Sequence, residues 1–255
     1  MDKNIILAGV GGQGILSIAY VIDNAALDAG FQFKQAEVHG MAQRGGAVQS
    51  HLRYADHAIY SDLIPKGAAD MVLSVEPLEV MRYWHFLRPE GWVVSSMTPY
   101  VNIPDYPETD DLLDRLSTFP NCILVDGGQI AKAAGNLRAQ NMVTVGAASS
   151  RLDFTEDQLL RHVETLFSRK GEKIVEVNQR AFRYGRAAGL FFRGLADAGI
   201  AIPKALKLCQ SIAPETFDPA LAGDWVKAVA SDDAMLTSIL ESDEAVPCDR
   251  VPVRA

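Results

Sequence analysis

The first thirty residues set the pattern. An apolar run, Asn4 to Ala8, leads into Gly9-Val10-Gly11-Gly12-Gln13-Gly14, and Ile15 to Ala29 follows with helical character. An unbroken apolar run ahead of a glycine turn reads as a strand buried on both faces. Phe31 to Val38 is a second strand. Val48 to Tyr54 alternates, with Val48, Ser50, Leu52 and Tyr54 on one side, as a half-buried strand does. Tyr60 to Leu63 is a short edge piece. Met71 to Val75, Trp92 to Ser96, Cys122 to Asp126 and Asn141 to Val145 read as further strands. Between them, Pro77 opens a helix after Glu76, with Leu78, Met81, Trp84 and His85 on one face. Arg88 to Gly91 is a turn, Thr98 to Asp111 an extended loop with three prolines, and Leu112 to Phe119 a short helix. Another helix runs from Gly127-Gly128 to Gly135.

Beyond Gly146 to Ser150, a small-residue turn, the pattern is helical. Thr155 and Gln158 form a capping box ahead of the stripe Leu159, Leu160, Val163, Leu166 and Phe167. Asn178 to Arg193 places Phe182, Gly185, Gly189 and Phe192 on one face, with glycines that permit close packing. Pro203 to Ile212 and Asp224 to Leu240 complete the helices, and Ser242 to Ala255 reads as a loose or disordered tail. Alternating strands and helices predict an α/β, Rossmann-like, three-layer domain on a mostly parallel sheet, with a small C-terminal helical extension. The expected division is residues 1–198 for the main domain and 199–255 for the helical extension with its acidic tail.

Composition narrows the function. The chain has 255 residues, 48% of them hydrophobic, and a net charge of −8. The segment from Pro214 onward carries −6 of that charge, so the main domain is near neutral. Nothing offers the basic field that nucleic acid or an anionic membrane requires. No apolar run approaches the ~20 residues that span a bilayer, and no signal-peptide pattern is present, so the expected location is the cytoplasm. The three cysteines, Cys122, Cys209 and Cys248, lack the spacing of a zinc or iron–sulfur site.

Two stretches carry the candidate chemistry. Gly9, Gly11 and Gly14 fit G-x-G-x-x-G in a strand–turn–helix context. Gly9 is expected to permit the tight turn, Gly11 a close approach by a ligand or neighbouring chain, and Gly14 close packing of helix on strand. The N–H groups and dipole of the following helix favour an anion. The second stretch is Glu37-Val38-His39-Gly40-Met41-Ala42-Gln43-Arg44-Gly45-Gly46. Arg44 suits a carboxylate or phosphate, or a pairing with Glu37. His39 suits acid–base work. A polar loop whose charges satisfy one another is the plain alternative.

Glu37 lies 23 residues after Gly14, where an acid would bind a dinucleotide ribose, so an NAD-binding oxidoreductase is one reading. The loop after it, which runs into another strand, does not suit that reading. His51 and His57 read as ordinary strand and loop residues, and Asp126 as a helix cap. Nucleophile-elbow, zinc-protease and P-loop motifs are absent, as is the glycine–aspartate–glycine pattern with a downstream asparagine of thiamine diphosphate–magnesium sites.

The Gly9–Ile15 turn taken with Glu37–Gly46 resembles the gamma-type domain of the 2-oxoacid:ferredoxin oxidoreductases, and within them the indolepyruvate-type small (beta) subunits. The resemblance covers roughly residues 1–195. It implies a subunit that binds no cofactor alone and is inactive without a large (alpha) subunit, its partner in an α2β2 assembly. Thiamine diphosphate, magnesium and [4Fe-4S] clusters are expected in that partner, with coenzyme A as co-substrate and ferredoxin as electron acceptor. The reaction implied is oxidative decarboxylation of aryl pyruvates. Gly9, Gly11, Gly12, Gln13, Gly14, Glu37, His39, Gly40, Met41, Gln43, Arg44, Gly45 and Gly46 are the expected binding or interface residues, with His39 and Arg44 the catalytic candidates and no metal ligand. A non-catalytic adaptor of the same fold is a third reading.

Overall fold

A computed structural model describes residues 1–39, 45–216, 218–242 and 245–246, with the backbone alone at Val38, His39 and Pro219. Six strands form one sheet: β1 (Asp2–Val10), β2 (Gln32–His39), β3 (Ala47–Ala55), β4 (Ala69–Ser74), β5 (Leu87–Ser96) and β6 (Cys122–Val125), in the order β2-β3-β1-β4-β5-β6. β1, β4, β5 and β6 run parallel, and β3 is antiparallel to both β1 and β2. Ile5, Ile6, Leu7, Val72, Leu73, Val93, Val94, Ile123 and Leu124 are fully buried, which is why the central strands read as unbroken apolar runs.

The first crossover, through α1 (Ile15–Asp28), leads from β1 towards β2. The next two lead the other way, from β4 through α2 (Pro77–Tyr83) to β5, and from β5 through α3 (Thr109–Leu116) to β6. Right-handed connections therefore put α1 on one face of the sheet and α2 and α3 on the other. The winding reverses between β1 and β4. In such sheets ligands bind in the crevice outside the carboxyl ends of the strands at that reversal.

α4 (Gly127–Ala134), α5 (Gln140–Ala148), α6 (Glu156–Phe167) and α7 (Glu172–Asp197) complete the main body. α5 and α6 pack on α1, and α7 packs on α5 and β6. α8 (Ile202–Gln210) and α9 (Ala222–Ser231) pack on α7, where buried Trp225 meets Phe191 edge-on, and α10 (Asp233–Leu240) packs on both of them. The extension thus covers part of the main body. Val246 bridges to Ile212, and the remaining tail lies outside the described residues.

The structure corrects several expectations. Asn141 to Val145 is not a strand, nor Gly146 to Ser150 a turn: Gln140–Ala148 is the helix α5, continued by a 3₁₀ turn, Ser149–Arg151. Every residue from 141 to 148 is buried, and a helix apolar all round has no periodicity to distinguish it from a strand. Arg88 to Gly91 lies within β5, at a register irregularity against β4. Tyr60 to Leu63 is a loop held by Arg53, whose Nη1 donates to the Ser61 carbonyl at 2.8 Å. The helix expected from Asp224 to Leu240 breaks at Asp232, whose carboxylate accepts from the Ala234 and Met235 N–H groups. The capping box of Thr155 and Gln158 is present as read.

α5 and α7 cross at glycine-to-backbone contact. A Cβ on Gly146 would lie 2.0 Å from the Phe182 carbonyl oxygen, and one on Gly185 2.1 Å from that of Val143. Neither backbone can yield without moving a helix. Gly185→Ala is expected to destabilise the fold by about 3 kcal/mol or more, measured by urea unfolding; a loss within 0.5 kcal/mol, the range of ordinary surface changes, would show that the crossing tolerates a wider spacing.

Candidate functional site

The glycine turn stands at the carboxyl end of β1, beside the reversal of winding. Its left-handed residues are Gly12 (φ 103°) and Gly14 (φ 80°), not Gly9. Gly9 is instead a packing position, where a Cβ would sit 2.7 Å from the Ile15 side chain and 3.1 Å from Oε1 of Gln13. That Gln13 oxygen accepts from the Val10 N–H at 2.7 Å, and the Gln13 N–H donates to the Val10 carbonyl at 3.0 Å, so Gln13 braces the turn. A Cβ on Gly14 would meet the Asn141 side chain of α5 at 2.5 Å rather than the strand.

The far end of the second stretch meets this turn directly. The Gly11 N–H donates to the Gly46 carbonyl at 2.8 Å, and the Gly45 N–H donates to the Gly11 carbonyl at 3.3 Å. Beyond them β1 and β3 pair in register from Val10 opposite Ala47. The two candidate stretches are therefore brought together, but the Gly11 N–H is spent on protein. Among the described residues, the N–H groups of Gly12, Gly14, Ile15 and Leu16 have no backbone or side-chain acceptor. The first turn of α1 carries no acid and no side-chain cap. A Cβ at Gly12 would meet nothing within 4 Å. These features leave a positive, open helix end at the crevice.

Glu37, in β2, lies opposite Ser50 of β3. Because β3 separates β2 from β1, Glu37 is two strand spacings, about 10 Å, from the β1 edge. His39 ends β2 opposite Val48, which itself pairs with Gly9. Its side chain, and all of Gly40, Met41, Gln43 and Arg44, lie outside the described residues.

A feature that sequence reading missed closes the next part of the crevice. Residues 98–106 form a strap. Its Thr98 hydroxyl donates to Asp126 at 3.1 Å and accepts from the Gly128 N–H at 2.7 Å. The Asn102 side-chain amide donates to the Gly45 carbonyl at 2.8 Å. The Tyr106 hydroxyl donates to Glu76, which also accepts from the Tyr100 N–H at 3.4 Å. Glu76 follows β4, is 1% exposed, and caps α2 through the Glu79 N–H at 2.9 Å. Three prolines suggest an extended loop; the buried acid that pins it, Glu76, carries no sequence signal beyond its place before Pro77.

Burial raises the Glu76 carboxyl above its usual range, against the opposing pull of Tyr106. Glu79, also 1% exposed, is pushed up to about 7 by burial, with Arg82 at 3.1 Å pulling the other way; its Oε2 has no partner among the described residues. Asp126 caps α4 through the Gln129 N–H at 2.9 Å, as expected, and also accepts from Gln210 of α8. His51 is a core residue, accepting from the Ile64 N–H at 3.0 Å, and His57 pairs with Asp56. Among the described residues no three His, Cys, Asp or Glu side chains group as metal ligands, and no helix is long and apolar enough to cross a membrane.

The fold and the carboxyl-edge crevice define a class: an open, mostly parallel α/β module with a glycine turn and an uncapped helix start at its crevice. The comparisons agree. The chain belongs to the pyruvate ferredoxin/flavodoxin oxidoreductase family, whose model matches residues 4–188. It is 36% identical over 193 residues to the indolepyruvate oxidoreductase subunit IorB of Archaeoglobus fulgidus, covering 72% of this chain and 94% of that one. It is 35% identical over 204 residues to the subunit of the same name from Thermococcus kodakarensis, covering 76% and 99%. The resemblance drawn from the two motifs is thus borne out.

Solved structures share the fold at lower identity. The gamma subunit of a keto/oxoacid ferredoxin oxidoreductase from Geobacter sulfurreducens has a TM-score of 0.56 at 23% identity, over 74% of this chain and 98% of that one. The 2-oxoglutarate:ferredoxin oxidoreductase of Magnetococcus marinus, solved with 2-oxoglutarate, coenzyme A and succinyl-CoA bound, has a TM-score of 0.60 at 23% identity; the match covers 74% of this chain and 31% of that longer one.

The buried Glu79 gives a pH signature. Neutral in the folded chain up to about pH 7 but ionised from about 4.5 when unfolded, it contributes stability that falls as pH rises between those values, at up to ~1.4 kcal/mol per pH unit. Glu79→Gln is expected to gain stability relative to the native chain across that window in denaturant titrations. Parallel pH profiles would show the carboxyl ionised in the fold.

Proposed function

We propose that this chain is the small subunit of a thiamine-diphosphate-dependent 2-oxoacid:ferredoxin oxidoreductase that takes aryl pyruvates such as indolepyruvate to the aryl-acetyl-CoA. The observation that carries the reading is the junction of Gly11 with Gly45 and Gly46, which joins both family-like stretches into one wall of the crevice. The relatives named indolepyruvate oxidoreductase subunits support the substrate class.

In this reading a large (alpha) partner completes the crevice and holds thiamine diphosphate, magnesium and [4Fe-4S] clusters. Thiamine diphosphate supplies the carbanion chemistry of decarboxylation, and electrons pass to ferredoxin. This chain's work is binding and orientation. The open N–H groups at Gly12 and Gly14 and the Arg44 guanidinium receive an anionic group, either the 2-oxoacid carboxylate or a coenzyme A phosphate. His39 and Gln43 orient polar groups beside it. Residues 1–198 form the working domain, and residues 199–255 a helical extension with an acidic tail. The complex is cytoplasmic, with α2β2 stoichiometry.

A stand-alone NAD-binding enzyme is disfavoured by the strand order. With β3 between β2 and β1, Glu37 does not stand beside the glycine turn as a ribose-binding acid must.

Arg44→Ala tests the assignment in the complex purified with its partner. The expected result is intact assembly with kcat/KM for the 2-oxoacid or for coenzyme A lowered by about 100-fold, the loss of one charge-assisted contact. Native kinetics for both substrates would remove Arg44 from the site.

A further inference from the structure

The C-terminal extension touches the crevice through the last residue of α8. The family match ends at residue 188, and the match to the Thermococcus kodakarensis relative takes in 99% of that chain but 76% of this one. α8 therefore lies beyond what the family model describes, and so do its contacts. Gln210, its last residue, is half-buried. The Gln210 side-chain amide donates to Oδ2 of Asp126 at 3.1 Å, and the Gln210 carbonyl accepts from the Gln129 side-chain amide at 2.9 Å. The Gln129 N–H in turn donates to Oδ1 of Asp126 at 2.9 Å. These three residues close a ring of hydrogen bonds between the C-terminal end of α8 and the N-terminal end of α4, opposite poles of two helix dipoles.

Asp126 is also the root of the strap. Its Oδ1 accepts from the Thr98 hydroxyl at 3.1 Å, and that hydroxyl accepts from the Gly128 N–H at 2.7 Å. Thr98 is packed hard against this helix end: a Cβ on Gly128 would lie 2.9 Å from its methyl carbon and 3.0 Å from its hydroxyl oxygen. No basic side chain among the described residues pairs with Asp126. Neutral donors therefore hold the carboxylate, Thr98 and Gln129 at Oδ1 and Gln210 at Oδ2. Without the Gln210 amide, Oδ2 loses its donor and the carboxylate is free to rotate away from Thr98. Beyond Thr98 the strap runs to Asn102, whose amide holds the Gly45 carbonyl at 2.8 Å. The end of α8 is itself fixed from behind: the Val246 N–H donates to the Ser211 carbonyl at 2.8 Å, and the Val246 carbonyl accepts from the Ala213 N–H at 3.1 Å.

We propose that the C-terminal extension braces the strap of the crevice, with Gln210 as a positioning residue that acts through Asp126 on Thr98. A ligand at the glycine turn then feels α8 through the succession Gln210, Asp126, Thr98, Asn102 and Gly45. The brace sets where the strap stands and so acts on binding rather than on the chemical step. Its kinetic consequence rests on the reading that the 2-oxoacid and coenzyme A are handled at this crevice; its effect on the strap does not.

Two measurements keep these apart. Amide hydrogen exchange on the full chain reads the brace. Gln210→Ala removes one half-exposed side chain, and is expected to speed exchange at the Thr98 and Tyr100 N–H groups by about 10-fold, as the loss of one hydrogen bond to a charged group does, with β1 and β4 unchanged. Lys207→Ala, one turn earlier on the exposed side of α8, is expected to leave the strap at native rates. Thr98→Val removes the hydroxyl at the other end of the relay with nearly the same shape. The double variant Gln210→Ala, Thr98→Val is expected to exchange no faster at Tyr100 than Thr98→Val alone, because both changes act through Asp126; a merely destabilising Gln210→Ala would add. In the complex purified with its partner, Gln210→Ala is expected to raise KM for the 2-oxoacid or coenzyme A by about 5-fold with kcat within about 2-fold of native. Native exchange at the strap in Gln210→Ala, faster exchange spread evenly over the fold, or additive effects in the double variant overturns the brace. Faster strap exchange with native kinetics upholds the brace and counts instead against the crevice as the place where the substrates are handled.

Discussion

Two backbone hydrogen bonds, Gly11 N–H to Gly46 oxygen and Gly45 N–H to Gly11 oxygen, hold the carboxyl edge of the sheet together. They extend the β1–β3 ladder past its last side-chain pair, at a place where the chain must also turn into α1. Gly45, like the neighbouring Gly12 and Gly14, takes a φ value that L side chains rarely adopt. Once this joint is made, the helix end of α1, the return of the β2–β3 hairpin and the strap through Asn102 all have fixed positions relative to one another.

The rest of the edge is tied together by acids at helix starts. Glu76 ties the start of α2 to Tyr100 and Tyr106, and Asp126 ties α4 to Thr98 and to Gln210 of α8. Each carboxylate satisfies backbone donors at a helix end and holds the strap as well. The crevice is consequently a rigid wall of backbone and capped helices. It presents open N–H groups at one point, and among the described residues no three His, Cys, Asp or Glu side chains group as metal ligands. Such a wall suits the binding and orienting role proposed above.

Much of this was legible in the residues. The strand–glycine–helix opening, the strands β2 and β3, and the Thr155–Gln158 cap each depend on local signals of a few residues, and each appears in the structure. What was not legible depends on distant partners. α5 looked like a strand because burial on all sides erases its period. Gly9 looked like the turn residue because spacing alone does not say which glycine takes positive φ. Glu76 read only as the residue before a helix, and its bond to Tyr106 spans thirty residues through a proline-rich segment with no pattern of its own. The bond of Gln210 to Asp126 joins residues 84 positions apart that only packing brings together.

The central claim is that the edge formed by the glycine turn, Gly45–Gly46 and the strap is the face completed by a partner subunit. Amide hydrogen exchange, compared between the isolated chain and the chain in its native complex, tests it directly. Added protection is expected at residues 9–16, 45–46 and 98–106, with little change at the opposite edge around Phe33, Leu63 and Trp84. Protection confined to that opposite edge, with the glycine turn exchanging as freely in the complex as alone, would contradict it.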